Sequence, residues 1–339
     1  MHPEILHHRD KRLLMRSRII GTGSAVPDKI LANHDLEKMV DTSDEWIVTR
    51  TGIRERRIAA PDEYTSTLAH RAAARALEMA GISAADLDLI IVATVTPDYP
   101  FPSTAALLQN SLNASRAAAF DISAACSGFI FALTTADKFI RSGSVKNALV
   151  VGAEVLSRIV DWSDRNSCLL FGDGAGAAVV TAGEGDSGIL DSFIKSDGSY
   201  WELLYQPAPG NRNPASHKVV DERLNFIRMQ GNEVFKLAVR AMEDAAQQVL
   251  SAGGFSAGDI DLFIPHQANR RIIDAIGKRL KVPDDKVYVN IERFGNTSSA
   301  SIPLAMDEAN RNGLLQPGNL LLLDAFGGGL AWGAVTIRW

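Results

Sequence analysis

The sequence predicts an α/β protein made of two similar halves. Short apolar runs alternate with helical patterns, those runs read as strands buried on both faces, and part of the pattern recurs about half a chain later.

The apolar runs lie at residues 90–93, 148–151 and 320–323. They lack the polar/apolar alternation of a half-exposed strand, so both faces should be covered. Helical spacing is predicted over 66–80, 127–141, 233–250 and 270–280. The recurrence begins with Asp86-Leu87-Asp88-Leu89-Ile90-Ile91, echoed by Asp259-Ile260-Asp261-Leu262-Phe263-Ile264. Residues 120–129 are echoed by 289–298, and 148–151 by 320–323, at offsets between 169 and 173. A duplicated fold sets matching loops of both halves around one pseudo-twofold axis, where a site would draw on both. The halves are expected at 15–185 and 186–339. Residues 1–14 hold three of the seven histidines and precede a second methionine, so they read as a poorly ordered extension.

At 339 residues and 46% hydrophobic, the chain can bury a large core. A net charge of −5 gives no global basic field for nucleic acid. Two cysteines, Cys126 and Cys168, point to the reducing cytosol rather than a disulfide framework. No apolar run reaches spanning length, and the N-terminus lacks the apolar core of a signal peptide.

Glycine-rich stretches have bland readings. Gly21-Thr22-Gly23 lacks the third glycine of a dinucleotide loop. In 172–176, small residues before a strand more often allow close packing than hold phosphate. Residues 207–214 read as an exposed loop.

Cys126 stands where a β-like segment ends and a helix begins. That position favours thiolate through the helix dipole and offers a backbone N–H to an oxyanion. Against this, free cysteine is often a small core residue, which is the reading for Cys168. His266 follows a buried strand and precedes a helix, where α/β sites form, although a lone histidine there could be a cap or core residue. Asn296 falls in the repeat's counterpart of the Cys126 loop; alone it reads as an N-cap. Gly327-Gly328-Gly329 either lets backbone approach a ligand or makes a turn. Together a thiol, an imidazole and a carboxamide at related loops suggest a composite site. Cys–His–Asn also occurs in thiol proteases, of which no second feature is present.

With their flanks, these residues resemble the β-ketoacyl-acyl carrier protein synthase III family. The matching stretches are DTSDEWIVTRTGIRER (41–56), AACSGF (124–129), FGDGAGAAV (171–179), GNEVFK (231–236), PHQANRRI (265–272), GNTSSAS (295–301) and AFGGGLAWG (325–333). The resemblance runs from about residue 16 to the end. It implies a thiolase-like five-layer αβαβα fold and a cytoplasmic homodimer, with acyl-CoA as substrate and neither metal nor other cofactor. The implied reaction is decarboxylative condensation of a short acyl-CoA, acetyl-CoA above all, with malonyl-acyl carrier protein, which initiates fatty-acid synthesis. Cys126 would carry the acyl group, and His266 and Asn296 would stabilise the enolate left by decarboxylation. The N–H groups of Cys126 and Gly328 would form the oxyanion hole. Trp46 and Arg165 match the pair that sandwiches the CoA adenine, with Thr42 nearby and Arg50 on phosphate. Without the family, Trp46 would read as a helix residue packing on the core. Arg271, with Lys278 and Lys236, would receive the acidic carrier protein. Phe101 matches the residue that closes the partner's acyl pocket, and its bulk implies a short primer.

Three rivals remain. A related thiolase-fold synthase with another starter or acceptor would keep the cysteine but tends to lose the 44–53 and carrier-facing features. A thioesterase needs no carrier face. A non-catalytic acyl-CoA-binding protein needs Trp46 and Arg165 but not the Cys126 thiol.

Overall fold

The structure is a computed structural model describing residues 15–339; the expected extension at 1–14 lies outside them. Two mixed sheets form the frame. The first contains β1 (Met15–Ala25), β2 (Leu89–Ala93), β3 (Ala118–Ile122), β4 (Asn147–Glu154) and β5 (Gly174–Glu184), in spatial order β1-β5-β4-β2-β3. The second contains β6 (Gly188–Ser196), β7 (Leu262–Pro265), β8 (Leu320–Gly327) and β9 (Ala331–Arg338), in order β7-β8-β9-β6. β2 lies parallel to β3 and β4, and β7 parallel to β8; of these all but the edge strand β3 are buried almost throughout.

Seven helices matter to the layers. They are α1 (Asp44–Thr51), α2 (Thr65–Ala80), α3 (Thr104–Leu112), α4 (Gly128–Arg141), α5 (Gly231–Gly253), α6 (Arg270–Leu280) and α7 (Ser301–Arg311). Helices α2 and α3 cover the outer face of the first sheet, and α5 with α6 that of the second. Helices α4 and α7 lie between the sheets. The order is helix, sheet, helix, sheet, helix, the five-layer arrangement expected. The middle layer is buried on both sides, so α4 and α7 carry apolar or small residues around most of their circumference. Each large aliphatic side chain packed there contributes about 1.5–3 kcal/mol of burial.

The duplication is visible strand by strand. Met15 and Gly188, Leu89 and Leu262, and Asn147 and Leu320 begin matching strands 173 residues apart. One expected register needs correction. The turn Ala125–Ser127 matches Ser298–Ala300, again 173 apart. Cys126 is therefore the counterpart of Ser299, and Asn296 that of Ser123. The second half replaces β3 with an isolated bridge between Val287 and Phe263, followed by a short helix, Ile291–Phe294. This different path shifts the sequence likeness by four residues.

The glycines of 21–23 and 174–176 lie inside β1 and β5 rather than beside strands. A Cβ on Gly21 or Gly23 would come within 2.3 Å of the α2 backbone, so these glycines serve sheet-to-helix packing. Cys168 is fully buried, as expected, among Ile47, Ile53 and Leu169. The halves are joined through side chains as well. Asp307 of α7 accepts from Thr22 at 2.8 Å and from Ser24 at 2.6 Å, both on β1.

The tightest crossing of the halves is at Gly152 on β4, where an added Cβ would lie 2.2 Å from the Ser299 carbonyl oxygen. Gly152→Ala should therefore lower stability by about 1–3 kcal/mol, the usual cost of overpacking. Thermal denaturation, with Gly198→Ala as the control because a Cβ there meets nothing within 4 Å, checks this.

Candidate active site

The site forms at the ends of the central strands, where loops from both halves meet. Cys126 sits in the turn between β3 and α4, and the residue before it, Ala125, has φ of 46°. This left-handed geometry is sparsely used by residues with a Cβ and tends to mark functional turns. Cys126 is 7% exposed. Gly327, ending β8, closes over it: a Cβ there would be 2.6 Å from the Cys126 amide nitrogen. Among the three glycines expected to allow close approach, Gly327 makes it to Cys126, whereas Gly328 packs against Leu204.

His266 follows β7, its N–H donating to the Asp324 carbonyl on β8 at 2.8 Å. Its Nδ1 lies 2.6 Å from the Ser301 hydroxyl, whose oxygen already accepts the Gln267 N–H at 3.3 Å. A Ser301 O–H directed at Nδ1 puts the ring proton on Nε2. Asn296 is held by an isolated parallel bridge to Phe171. Its Oδ1 accepts the Ser298 N–H at 2.8 Å, leaving the amide NH2 as the free donor.

Electrostatics follow from burial. Desolvation pushes the Cys126 thiol up to about 11; Glu154 acts the same way, and a hydrogen bond from Ser298 acts against it. Burial thus favours the protonated thiol, opposing the thiolate that a helix start favours. Burial pulls His266 down to about 3, so its ring is neutral across the working range. Neutral imidazole with Nε2–H and a carboxamide NH2 are donors that carry no charge.

A cavity of about 910 Å³ joins these groups to the surface. Cys126, His266 and Asn296 line it together with Trp46, Arg50, Arg165, Lys236 and Arg271. Trp46 lies on α1, whose N-cap Ser43 accepts the Trp46 N–H at 3.2 Å. It is 37% exposed, which contradicts the core reading that its helix spacing alone would favour. The Arg165 guanidinium stacks on its ring at 4.2 Å from the centroid, and Arg50 lies at 5.4 Å. Thr42 precedes α1 and is not among the residues lining the cavity; its hydroxyl is buried without a partner. Arg271 lies in the first turn of α6, where its N–H is capped by Asn269, and its guanidinium rests over the Phe235 ring of α5. Lys236 pairs with Glu233, while Lys278 is exposed in the last turn of α6, away from the cavity. Phe101 is 86% exposed in the loop before α3, also outside the cavity.

The sequence reading did not single out Ser298, Ser301, Gln267 or Glu154. Serines next to Asn296 look like ordinary turn residues, and Glu154 merely ends an apolar strand. Among the described residues no group of three or more His, Cys, Asp or Glu could hold a metal, and no helix is long and apolar enough to cross a membrane.

Residues 120–198 match the sequence family described as 3-oxoacyl-[acyl-carrier-protein (ACP)] synthase III, and 250–339 its C-terminal counterpart. The chain is 57% identical over 321 residues to the beta-ketoacyl-[acyl-carrier-protein] synthase III of Caldanaerobacter subterraneus subsp. tengcongensis, covering 95% of this chain and 97% of that protein. The crystal structure of 3-oxoacyl-[acyl-carrier-protein] synthase III from Aquifex aeolicus VF5 superposes with a TM-score of 0.89 at 53% identity, over 95% of this chain and all of that one. The priming beta-ketosynthase from the R1128 polyketide biosynthetic pathway gives 0.88 at 38% identity, over 95% and 96%.

Burial predicts how the thiol titrates. The alkylation rate of Cys126 by iodoacetamide should climb through pH 9 with a midpoint near 11, since desolvation favours the protonated form. It should show no step between pH 6 and 7, because His266 has already lost its proton there. A stopped-time mass assay of alkylated protein reads both.

Proposed function

The chain belongs to the 3-oxoacyl-acyl carrier protein synthase III family, and from that premise we propose how its residues divide the reaction. The protein is an acyltransferase of the condensing class that initiates fatty-acid synthesis. The Cys126 sulfur attacks the carbonyl of acyl-CoA; CoA leaves, the thiol proton goes to the departing sulfur, and a thioester remains on Cys126. Malonyl-acyl carrier protein then enters the emptied channel. Its carboxylate C–C bond breaks, CO2 departs, and the electron pair stays as an enolate. The enolate carbon attacks the Cys126 thioester, the C–S bond breaks, 3-oxoacyl-carrier is released, and the Cys126 thiolate takes up a proton from solvent to restore the thiol.

Support for the roles comes chiefly from the neutral donors. A developing enolate oxygen is best met by fixed dipoles that need no proton transfer. Nε2–H of His266 and the amide NH2 of Asn296 fit that need. A positively charged histidine would instead risk protonating the carbanion. The N–H groups of Cys126 and Gly328 are assigned to the tetrahedral oxyanions.

Acyl-CoA enters through the mouth lined by Trp46, Arg50 and Arg165, with Thr42 beside the adenine. The carrier protein docks on Arg271, Lys236 and Lys278, where charge complementarity steers encounter and weakens with salt. Acetyl-CoA is the proposed primer. The supporting observation is the exposed Phe101, suited to cross into a second copy and shorten its acyl pocket. A homodimer in the cytoplasm is part of this reading. A second reading, with a different starter, draws on the likeness to the polyketide priming enzyme.

Three outcomes test the proposal. Labelled acetyl-CoA with malonyl-acyl carrier protein should yield acetoacetyl-carrier and CO2, and intact mass should show acetylation that Cys126→Ala abolishes; free acetate alone would indicate a thioesterase. His266→Ala and Asn296→Ala should still acylate Cys126 but lose CO2 release by roughly two to three orders of magnitude, the cost of one oxyanion donor. Octanoyl-CoA should turn over far more slowly than acetyl-CoA; equal rates would remove the short-pocket assignment.

A further inference from the structure

Glu154 ends β4 and is completely buried. An ionisable group so placed needs partners, and this one collects them from both halves. Its Oε2 accepts from the Thr94 hydroxyl at 3.1 Å, the Thr96 hydroxyl at 2.6 Å and the Val95 N–H at 3.1 Å. Its Oε1 accepts from the Ser298 hydroxyl at 3.1 Å and the Ser299 hydroxyl at 2.9 Å. Residues 94–96 follow β2 and lead towards Phe101. Ser298 and Ser299 form the turn after Asn296.

Ser298 has the central position. Its N–H fixes the Asn296 amide, its hydroxyl donates to Glu154, and its turn packs against the Cys126 turn. Its φ of 49° is a conformation that residues with a Cβ rarely hold unaided. The Glu154 carboxyl is the acceptor that restrains its side chain. Ser299 is tethered twice, to Glu154 and to the Ala93 carbonyl at 2.8 Å. Without the carboxyl, Ser298 keeps its peptide but loses the contact that orients it. The Asn296 amide then loses its fixed direction, while the Cys126 turn, held separately by α4 and Gly327, stays.

We propose that Glu154 is a positioning residue for decarboxylation: by holding Ser298 it sets the direction of the Asn296 amide, and it ties that setting to the 94–96 wall. This rests on the division of labour proposed above for Cys126, His266 and Asn296. Glu154 touches no reacting atom in this account. It acts through hydroxyl and amide partners whose placement must be held to within a fraction of an ångström.

The test compares wild type with Glu154→Gln, Glu154→Asp and Ser298→Ala. Three quantities are measured: acetylation of Cys126 by intact mass in a single turnover, CO2 release from malonyl-acyl carrier protein, and thermal stability. Glu154→Gln presents an NH2 where acceptors are needed, and should cut the rate of CO2 release about tenfold or more with KM little changed, as small misplacements do. Acetylation should fall by less than about threefold, since the nucleophile turn is supported elsewhere. Glu154→Asp keeps the acceptor pair and should recover most of the loss. Ser298→Ala should reproduce the Glu154→Gln split, and it decides the matter alone if Glu154→Gln does not fold. CO2 release at the wild-type rate in folded Glu154→Gln would overturn the proposal. So would equal losses of both steps, following the fall in thermal stability and unrelieved in Glu154→Asp. Wild type that acetylates without releasing CO2 would instead overturn the underlying functional reading.

Discussion

The Ser299 backbone lies so close over Gly152 that no side chain fits between them, and the rest of the pocket depends on that approach. It draws the loop of one half into the strand ends of the other. The groups brought along are hydroxyls, amides, a thiol, an imidazole and a carboxyl, and the approach removes them from bulk water. Their charge states then follow from burial more than from pairwise contacts. Burial favours the neutral imidazole and the protonated thiol, and it raises the Glu154 carboxyl even though five hydrogen-bonding neighbours surround it.

This environment suits one kind of chemistry. A dry site with neutral donors gains little by binding a carboxylate and more by binding the diffuse negative charge left when CO2 departs. Ser301 on His266 and the Ser298 N–H on Asn296 hold these two side chains in place, which under the proposed roles aims their N–H groups into the cavity.

Much of this was legible in the sequence. The continuous apolar runs marked the parallel strands, and their recurrence marked the duplication. Cys126, His266 and Asn296 stood out because thiol, imidazole and carboxamide fell at matching loops. The burial that favours a protonated Cys126 was not legible, since a helix start is readable from residue order but the depth of burial over it is not. For Trp46 helical spacing alone suggested the core, whereas the resemblance set it beside Arg165, and α1 sits at the rim of the cavity. Glu154, Ser298 and Ser301 carried no signal, because contacts between residues more than a hundred positions apart, as for Glu154 and Ser298, leave no local pattern.

The stacking of Arg165 on Trp46 has its own consequence. The tryptophan face is occupied by a planar cation, an interaction of about 0.5–1 kcal/mol at an exposed site. A flat aromatic head group that slides between them exchanges one stack for two. The observed affinity is then the difference between those arrangements, and the arginine acts as a tethered competitor for its own site. Weak, aromatic-poor ligands are held off at no cost to the resting protein, while a ring broad enough to face both partners gains twice.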